Sequence, residues 1–190
     1  MNLKVKHIVK AAHKALFTEI SGTVKPKAKR NKILLFDILP GLIAFFIIFK
    51  GNFLVKDSAM INYIMTTCSI FAGLLFSLII VIVDKAKKIK ETKSDKVENE
   101  FYYLSRYLRF SRHLITKIAF TILVSLAIII LLILANLKLG IGNIIPILAD
   151  TKKYIVSFLV IYFSIQFIYL IVNIISDMYD VFLEEIGTPN

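Results

Sequence analysis

Long apolar segments alternate with polar ones along this chain, and the alternation predicts helices that cross a membrane. The apolar segments occupy 33–49, 60–83, 118–137 and 154–175. A membrane-crossing helix needs about 20 apolar residues, and each segment approaches or exceeds that length. The pattern therefore predicts an all-α integral membrane protein whose four transmembrane helices form two hairpins.

The polar segments divide the chain into five predicted regions. These are an amphipathic basic N-terminus, a first transmembrane hairpin, a basic and aromatic helical segment, a second hairpin and an acidic tail. Their bounds are 1–32, 33–83, 84–117, 118–176 and 177–190. In the first region, apolar residues recur at helical spacing among lysines, which is typical of a helix lying on anionic lipid headgroups. A helix that binds a partner protein is the alternative.

Composition and charge place these regions relative to the membrane. Hydrophobic residues make up 57% of the 190 residues, yet the net charge is +11. The N-terminus, the segment 84–117 and the tail together hold 19 of the 24 lysines and arginines. Because basic loops stay in the cytoplasm, this count predicts a multi-pass membrane protein with both termini cytoplasmic.

The first apolar segment contains an ionisable residue and a helix breaker. Asp37 lies about one turn inside the segment, and Pro40 is followed by Gly41. Proline removes a helical hydrogen bond and kinks the helix. Asp37 is either a functional group within the membrane or the partner of Arg30 or Lys32 at the interface.

Small residues recur along the second apolar segment and form a flat strip that lets another backbone approach closely. The strip packs against a helix of the same chain, which is the commoner arrangement, or against another subunit. A polar lumen is a third interpretation. The strip residues are Ser69, Ala72, Gly73 and Ser77, and the polar positions beside them are Asn62 and Thr66.

The last two apolar segments differ in polarity. The third is nearly pure Ile, Leu, Ala and Val, so it is expected to face lipid or to pack generically. The fourth carries Gln166 near mid-membrane and Asn173 on the same face. An amide there needs a partner, and such a hydrogen bond is worth about 0.6–2 kcal/mol. Either a Gln–Gln contact in an oligomer or a bond to Thr66 or Ser69 would supply one.

The segment 84–117 is predicted to extend the third crossing into the cytoplasm. No glycine or proline interrupts 84–139, so one helix is expected from about Val97, roughly 60 Å long. Its basic and aromatic side chains are expected to dock a cytosolic protein or lipid headgroups. Direct nucleic-acid binding is not expected, because aromatics beside a membrane helix usually form an interfacial belt. The docking candidates are Phe101, Tyr103, Arg106, Tyr107, Arg109 and Arg112.

The tail reverses the charge. The fourth helix is expected to continue to Ile186, before Gly187 and Pro189 end it. Its acidic side chains are predicted to pair with the basic segment 84–117, in the same subunit or in a neighbouring one. These acidic candidates are Asp177, Asp180, Glu184 and Glu185.

The sequence shows no catalytic, cofactor-binding or metal-binding constellation. The single cysteine, Cys68, lies in an apolar segment, and the three histidines are not spaced as metal ligands. An enzyme is therefore not expected. Three classes remain: an oligomeric membrane subunit with a cytosolic partner, a pore-forming or membrane-depolarising effector, and a small transporter or lipid-handling protein.

In size and layout, the chain resembles the small four-helix membrane subunits of bacterial anti-phage defence systems. The resemblance rests on the four apolar segments, the basic segment 84–117 and the acidic stretch 177–185. Kiwa has such a membrane component, and type VI CRISPR systems have such accessory proteins. The resemblance implies a homo-oligomer of the inner membrane with a cytosolic protein partner. A Kiwa-like system would sense phage attack at the envelope. No motif aligns, so no functional residues are implied.

Overall fold

The computed structural model describes residues 34–51, 58–92, 98–136 and 146–187, and all of them are helical. A π-helical turn, Leu34–Ile38, leads directly into α1 (Leu39–Gly51). Helix α2 spans Ser58–Thr92, α3 spans Glu98–Asn136 and α4 spans Pro146–Gly187. The predicted all-α class is confirmed for these ranges, which contain no strand.

Three of the described helices are long and apolar enough to cross a membrane. The apolar stretches are Ala59–Lys88 in α2, Ser105–Ala135 in α3 and Tyr154–Tyr179 in α4. The 13 residues of α1 rise about 20 Å, which is less than the ~30 Å of a bilayer core. The chain is therefore a membrane protein by its helices, while the first of the four predicted crossings stays a prediction.

The ends of α3 and α4 agree with the sequence. Helix α3 begins at Glu98, one residue from the predicted start, and α4 ends at Gly187. Helix α4 begins at Pro146, where the missing proline N–H costs nothing in the first helical turn. The described helices continue well past the apolar segments, as predicted.

Contacts group the described residues into two compact units. The first comprises 73–92, 98–122 and 170–187, which belong to α2, α3 and α4. Lys85 Nζ lies 5.1 Å from the centroid of the Tyr107 ring, which joins α2 to α3. Because α2 and α3 contact each other and are joined by a short connection, they run antiparallel. The core of this unit consists of Leu75, Ile82, Phe110, Leu114, Ile118 and Ile174.

The second unit comprises 34–51, 58–72, 123–136 and 146–169. Here α1 packs on α4 through a cluster of Ala44, Ile48 and Ile161. The rings of Phe71 and Phe167 meet edge to face at 6.0 Å and join α2 to α4.

The surface of the described helices is strongly apolar. Large side chains such as Phe49, Leu74 and Ile168 are exposed on α1, α2 and α4. A protein in water rarely exposes so much apolar surface, whereas lipid solvates it well. Helix α3 has both kinds of surface, since Leu126, Ile130 and Ile133 are exposed while Ile128 and Leu132 are fully buried. The third segment therefore packs within the protein on one face and is exposed on another.

Candidate functional site

An ammonium group is buried between α3 and α4 in the first unit. Lys117 on α3 is only 5% exposed. Its Nζ donates to Asn173 Oδ1 at 2.7 Å and to Asp177 Oδ2 at 2.6 Å. The two acceptors are one helical turn apart, so they share a face of α4. We call these three residues the lysine cluster.

The lysine cluster lies at a level of the helices where the outer surface of α2 is apolar. Tyr107 on α3 contacts Lys85 on α2. Lys117 lies ten residues after Tyr107 on α3, and Leu75 lies ten residues before Lys85 on α2. In antiparallel helices, Lys117 and Leu75 are therefore level to within about one turn. The apolar run of α2 continues eight residues beyond Leu75, about 12 Å, to Val83. The exposed apolar side chains along that stretch are Phe76, Ile80 and Val81.

Residues next to the cluster along α3 and α4 are buried and apolar. Leu114 and Ile118 on α3 and Ile174 on α4 belong to the core of the first unit. Thr121 donates its hydroxyl to the Lys117 carbonyl at 2.9 Å, so this buried polar side chain is satisfied within its own helix. In an environment of low dielectric constant, the attraction between the ammonium and the carboxylate is strengthened. The pair therefore locks α3 and α4 in one register, and an ionisable group at this depth is a functional candidate.

Only part of the lysine cluster was predicted. Asn173 was expected as an intramembrane polar group and Asp177 as a docking acid, while Lys117 was only one of many charges in the segment 84–117. The predicted pairing of tail with basic segment is present at one point, the Lys117–Asp177 ion pair. The available signal was local: Phe110, Leu114 and Val124 lie three or seven residues from Lys117, so this lysine shares a helix face with apolar residues.

A second buried polar contact lies in the second unit, around Gln166. This side chain is 4% exposed, and its Nε2 donates to the Phe36 carbonyl at 3.2 Å and to Tyr162 Oη at 2.8 Å. Pro40 has no N–H to give to the carbonyl four residues before it, which is that of Phe36. The Gln166 amide thus donates to a carbonyl to which Pro40 cannot donate. The intrachain acceptors are therefore neither Thr66 nor Ser69, and a Gln–Gln contact in an oligomer stays a prediction.

Replacing Gln166 with leucine should lower the free energy of unfolding by about 1–2 kcal/mol, because two hydrogen bonds are lost inside an apolar bundle. Unfolding by SDS, followed by circular dichroism, measures this. Tyr162→Phe removes one of the two bonds and should cost less. The double variant should cost less than the two single losses added together, and full additivity would contradict the contact.

Asp37 lies in the π-helical turn and is half-buried. The alternative partners, Arg30 and Lys32, lie outside the described residues. The π-helical turn gives way to the α-helical geometry of α1 just before Pro40, and the predicted kink at this proline stays a prediction.

The small-residue strip on α2 is exposed. A Cβ built on Gly73 meets no atom within 4 Å, and Ser69 and Ser77 are exposed with their hydroxyls bonded to carbonyls of their own helix. Ala72 is half-buried. Packing of Gly73 on a helix of the same chain, the commoner arrangement expected from sequence, is therefore wrong for the described residues. Asn62 and Thr66 are exposed too.

Apart from Asp177, which belongs to the lysine cluster, the predicted docking residues divide into three groups. Arg106, Arg109 and Arg112 are exposed, as expected for docking. Tyr107 is half-buried against Lys85 and helps to pair α2 with α3. The side chains of the remaining candidates lie outside the described residues: Phe101, Tyr103, Asp180, Glu184 and Glu185.

Among the described residues, the buried hydroxyls of Ser111 and Ser164 have no hydrogen-bond partner. Within the described ranges, no group of three His, Cys, Asp or Glu side chains could hold a metal ion. No protein-family model, curated protein or solved structure matches the chain. What the protein does is therefore inferred from its own residues.

Proposed function

We propose that the protein is a homo-oligomeric subunit of the bacterial inner membrane that anchors a cytosolic partner protein or signals to it. Helices α2, α3 and α4 cross the membrane, and the segment 33–49 makes a fourth crossing, which gives two hairpins. The helix ends of the first unit face the cytoplasm. The three apolar helices and the concentration of basic residues beside the first unit support this arrangement.

The observation that carries the oligomer is a polar seam exposed along α2. Asn62, Thr66, Ser69, Gly73 and Ser77 are spaced by three or four residues, so they follow one line on the helix, and all five are exposed. Amide and hydroxyl groups gain little from lipid, whereas small residues let a second helix approach closely and complete their hydrogen bonds. A second copy of the chain covers this seam.

Oligomerisation is tested by filling the seam. Gly73→Leu should convert the oligomer to a monomer with unchanged helix content, because nothing in the chain occupies the space that the new side chain enters. Leu74→Phe adds bulk at an exposed site about 100° around the helix and should leave the oligomer intact. Native mass spectrometry in detergent gives both masses. An unchanged oligomer in Gly73→Leu contradicts the seam.

Cysteine cross-linking tests the seam in the membrane. In a Cys68→Ala background, Ser69→Cys should form a disulfide-linked dimer on oxidation, since the same position of two copies meets across a two-fold interface. Leu74→Cys, exposed on another side of α2, should not. Equal dimer formation by the two variants indicates random collision and argues against the interface.

The cytosolic partner is proposed from the helix lengths. Helix α3 has 39 residues and α4 has 42, about 58 and 63 Å, and the bilayer core is about 30 Å thick. Their ends therefore extend beyond the membrane as a platform. A photo-crosslinking amino acid at Tyr103 should capture a protein in living cells, while the same group at lipid-facing Ile168 should not. Only lipid or self adducts at Tyr103 would oppose a partner.

A role in anti-phage defence is supported by the resemblance in layout alone. It predicts that cells carrying the gene with its neighbours plate phage less efficiently than cells carrying the Gly73→Leu variant in the same setting. Equal plating efficiencies over a broad phage panel would remove this part of the proposal.

The exposed polar seam also supports a second candidate, a pore-forming effector. If the seam faced a symmetry axis, Asn62, Thr66 and Ser69 would line a conducting path. Ion flux from liposomes that contain the purified protein distinguishes the candidates, because the subunit proposal expects no flux above that of empty liposomes.

A further inference from the structure

Six basic side chains surround the first unit where α2 ends and α3 begins. All six are exposed, and the Lys85–Tyr107 contact holds the two helices together at this point. We call this group the basic collar; it consists of Lys85, Lys87, Lys88, Arg106, Arg109 and Arg112.

The depth of the basic collar matches that of lipid headgroups. With Tyr107 level with Lys85, Arg109 lies at the level of Val83, where the apolar run of α2 ends. Arg112 lies at the level of Ile80, which is exposed and apolar. The whole collar spans about 12 Å along the helices, centred near the boundary of the apolar surface. The headgroup layer, about 5–7 Å thick on each side of the bilayer, falls inside this interval.

Position and charge favour one occupant. Long basic side chains beside an apolar surface extend their charged ends to the interface, so Arg112 reaches outward from the level of Ile80. Guanidinium groups bind phosphate oxygens through paired N–H donors. A soluble acidic protein does not enter the headgroup layer beside exposed Ile80, whereas the phosphates of phospholipids are part of that layer.

We propose that the basic collar binds the phosphates of anionic phospholipids in the cytoplasmic leaflet. This inference rests on the membrane orientation proposed above, but not on the oligomer or on the cytosolic partner. The bound lipids fix the height of the first unit in the membrane and hold α2 and α3 together where they leave it.

Native mass spectrometry of the detergent-purified full chain tests the proposal. Phosphatidylglycerol should be retained in preference to phosphatidylcholine. The triple variant Lys87→Gln, Arg109→Gln, Arg112→Gln should bind phosphatidylglycerol more weakly by about fivefold per charge removed. The matched control Lys50→Gln, Lys152→Gln, Lys153→Gln removes the same charge from the side predicted to face outward. It should bind phosphatidylglycerol as the wild type does.

Several results overturn the proposal. These are equal retention of the two lipids by the wild type, unchanged binding by the collar variant, and equal weakening in the control. If the collar variant does not fold, the salt dependence of lipid binding by the wild type decides. Because salt screens exposed charges, 0.5 M NaCl should abolish the preference for phosphatidylglycerol.

A photo-crosslinking amino acid at Arg109 identifies the occupant in cells. A lipid-sized mass increase supports the collar, and a protein adduct in its place assigns this surface to a cytosolic partner and overturns the proposal. Phosphatidylglycerol binding by Gly73→Leu separates the two proposals. Loss of the oligomer with lipid binding retained supports both proposals, while a wild-type oligomer without a preference for phosphatidylglycerol rejects the collar alone.

Discussion

Replacing Lys117 with methionine should lower the free energy of unfolding by about 3 kcal/mol. The substitution keeps an unbranched side chain as far as Cε but removes Nζ, which leaves the Asp177 carboxylate without its cation, and that carboxylate is mostly buried. Asn173 also loses the donor to its Oδ1. Unfolding in SDS, followed by circular dichroism, measures the loss.

Two control variants separate the ion pair from packing. Adding Asp177→Leu to Lys117→Met should recover most of the lost stability, because replacing both members of a buried pair with apolar groups is often neutral. Lys87→Met removes an exposed lysine at the end of α2 and should change stability by less than about 0.5 kcal/mol. A Lys117→Met variant as stable as Lys87→Met would contradict the buried pair.

Truncating Leu75 to alanine should cost about 2 kcal/mol, whereas truncating its neighbour Leu74 should cost less than about 0.5 kcal/mol. Leu75 is 7% exposed within the core of the first unit, and Leu74 is 62% exposed. Lipid or detergent solvates apolar side chains in folded and unfolded chains alike, so the loss at Leu75 comes from the cavity and the missing contacts.

The adjacent leucines share chemistry, helix and depth, so their difference isolates burial. Thermal unfolding of the two variants in the same detergent gives the comparison. Equal losses would show that Leu74 also packs against protein, which would place a subunit contact there rather than on the seam that contains Gly73.

The secondary structure of this chain follows closely from local signals. Helix α3 continues without a break because no glycine or proline interrupts it, and α4 ends where Gly187 and Pro189 occur. The apolar runs of α2, α3 and α4 are so long that they indicate membrane-crossing helices by their length and composition alone. These features depend on one segment at a time, which is why sequence patterns capture them.

The polar contacts depend on two segments, and sequence patterns captured them less well. Counting positive charges treats Lys117 as one more cytoplasmic charge, because the count does not consider which helix face a lysine occupies. One partner of Gln166 is the main-chain carbonyl of Phe36, which lies 130 residues earlier in the chain. Pro40 has no N–H with which to serve as the α-helical donor to that carbonyl. No side-chain pattern marks such an acceptor. The exposure of the strip around Gly73 likewise depends on where the other helices pack.

The orientation of α2 across the membrane is the central claim, and cysteine labelling tests it most directly. In a Cys68→Ala background, Tyr63→Cys and Lys87→Cys place single thiols at exposed positions about 36 Å apart on one helix. A membrane-impermeant maleimide should label Tyr63→Cys in intact cells and Lys87→Cys only after the cells are broken. Labelling of Lys87→Cys in intact cells, with Tyr63→Cys protected, would contradict the account.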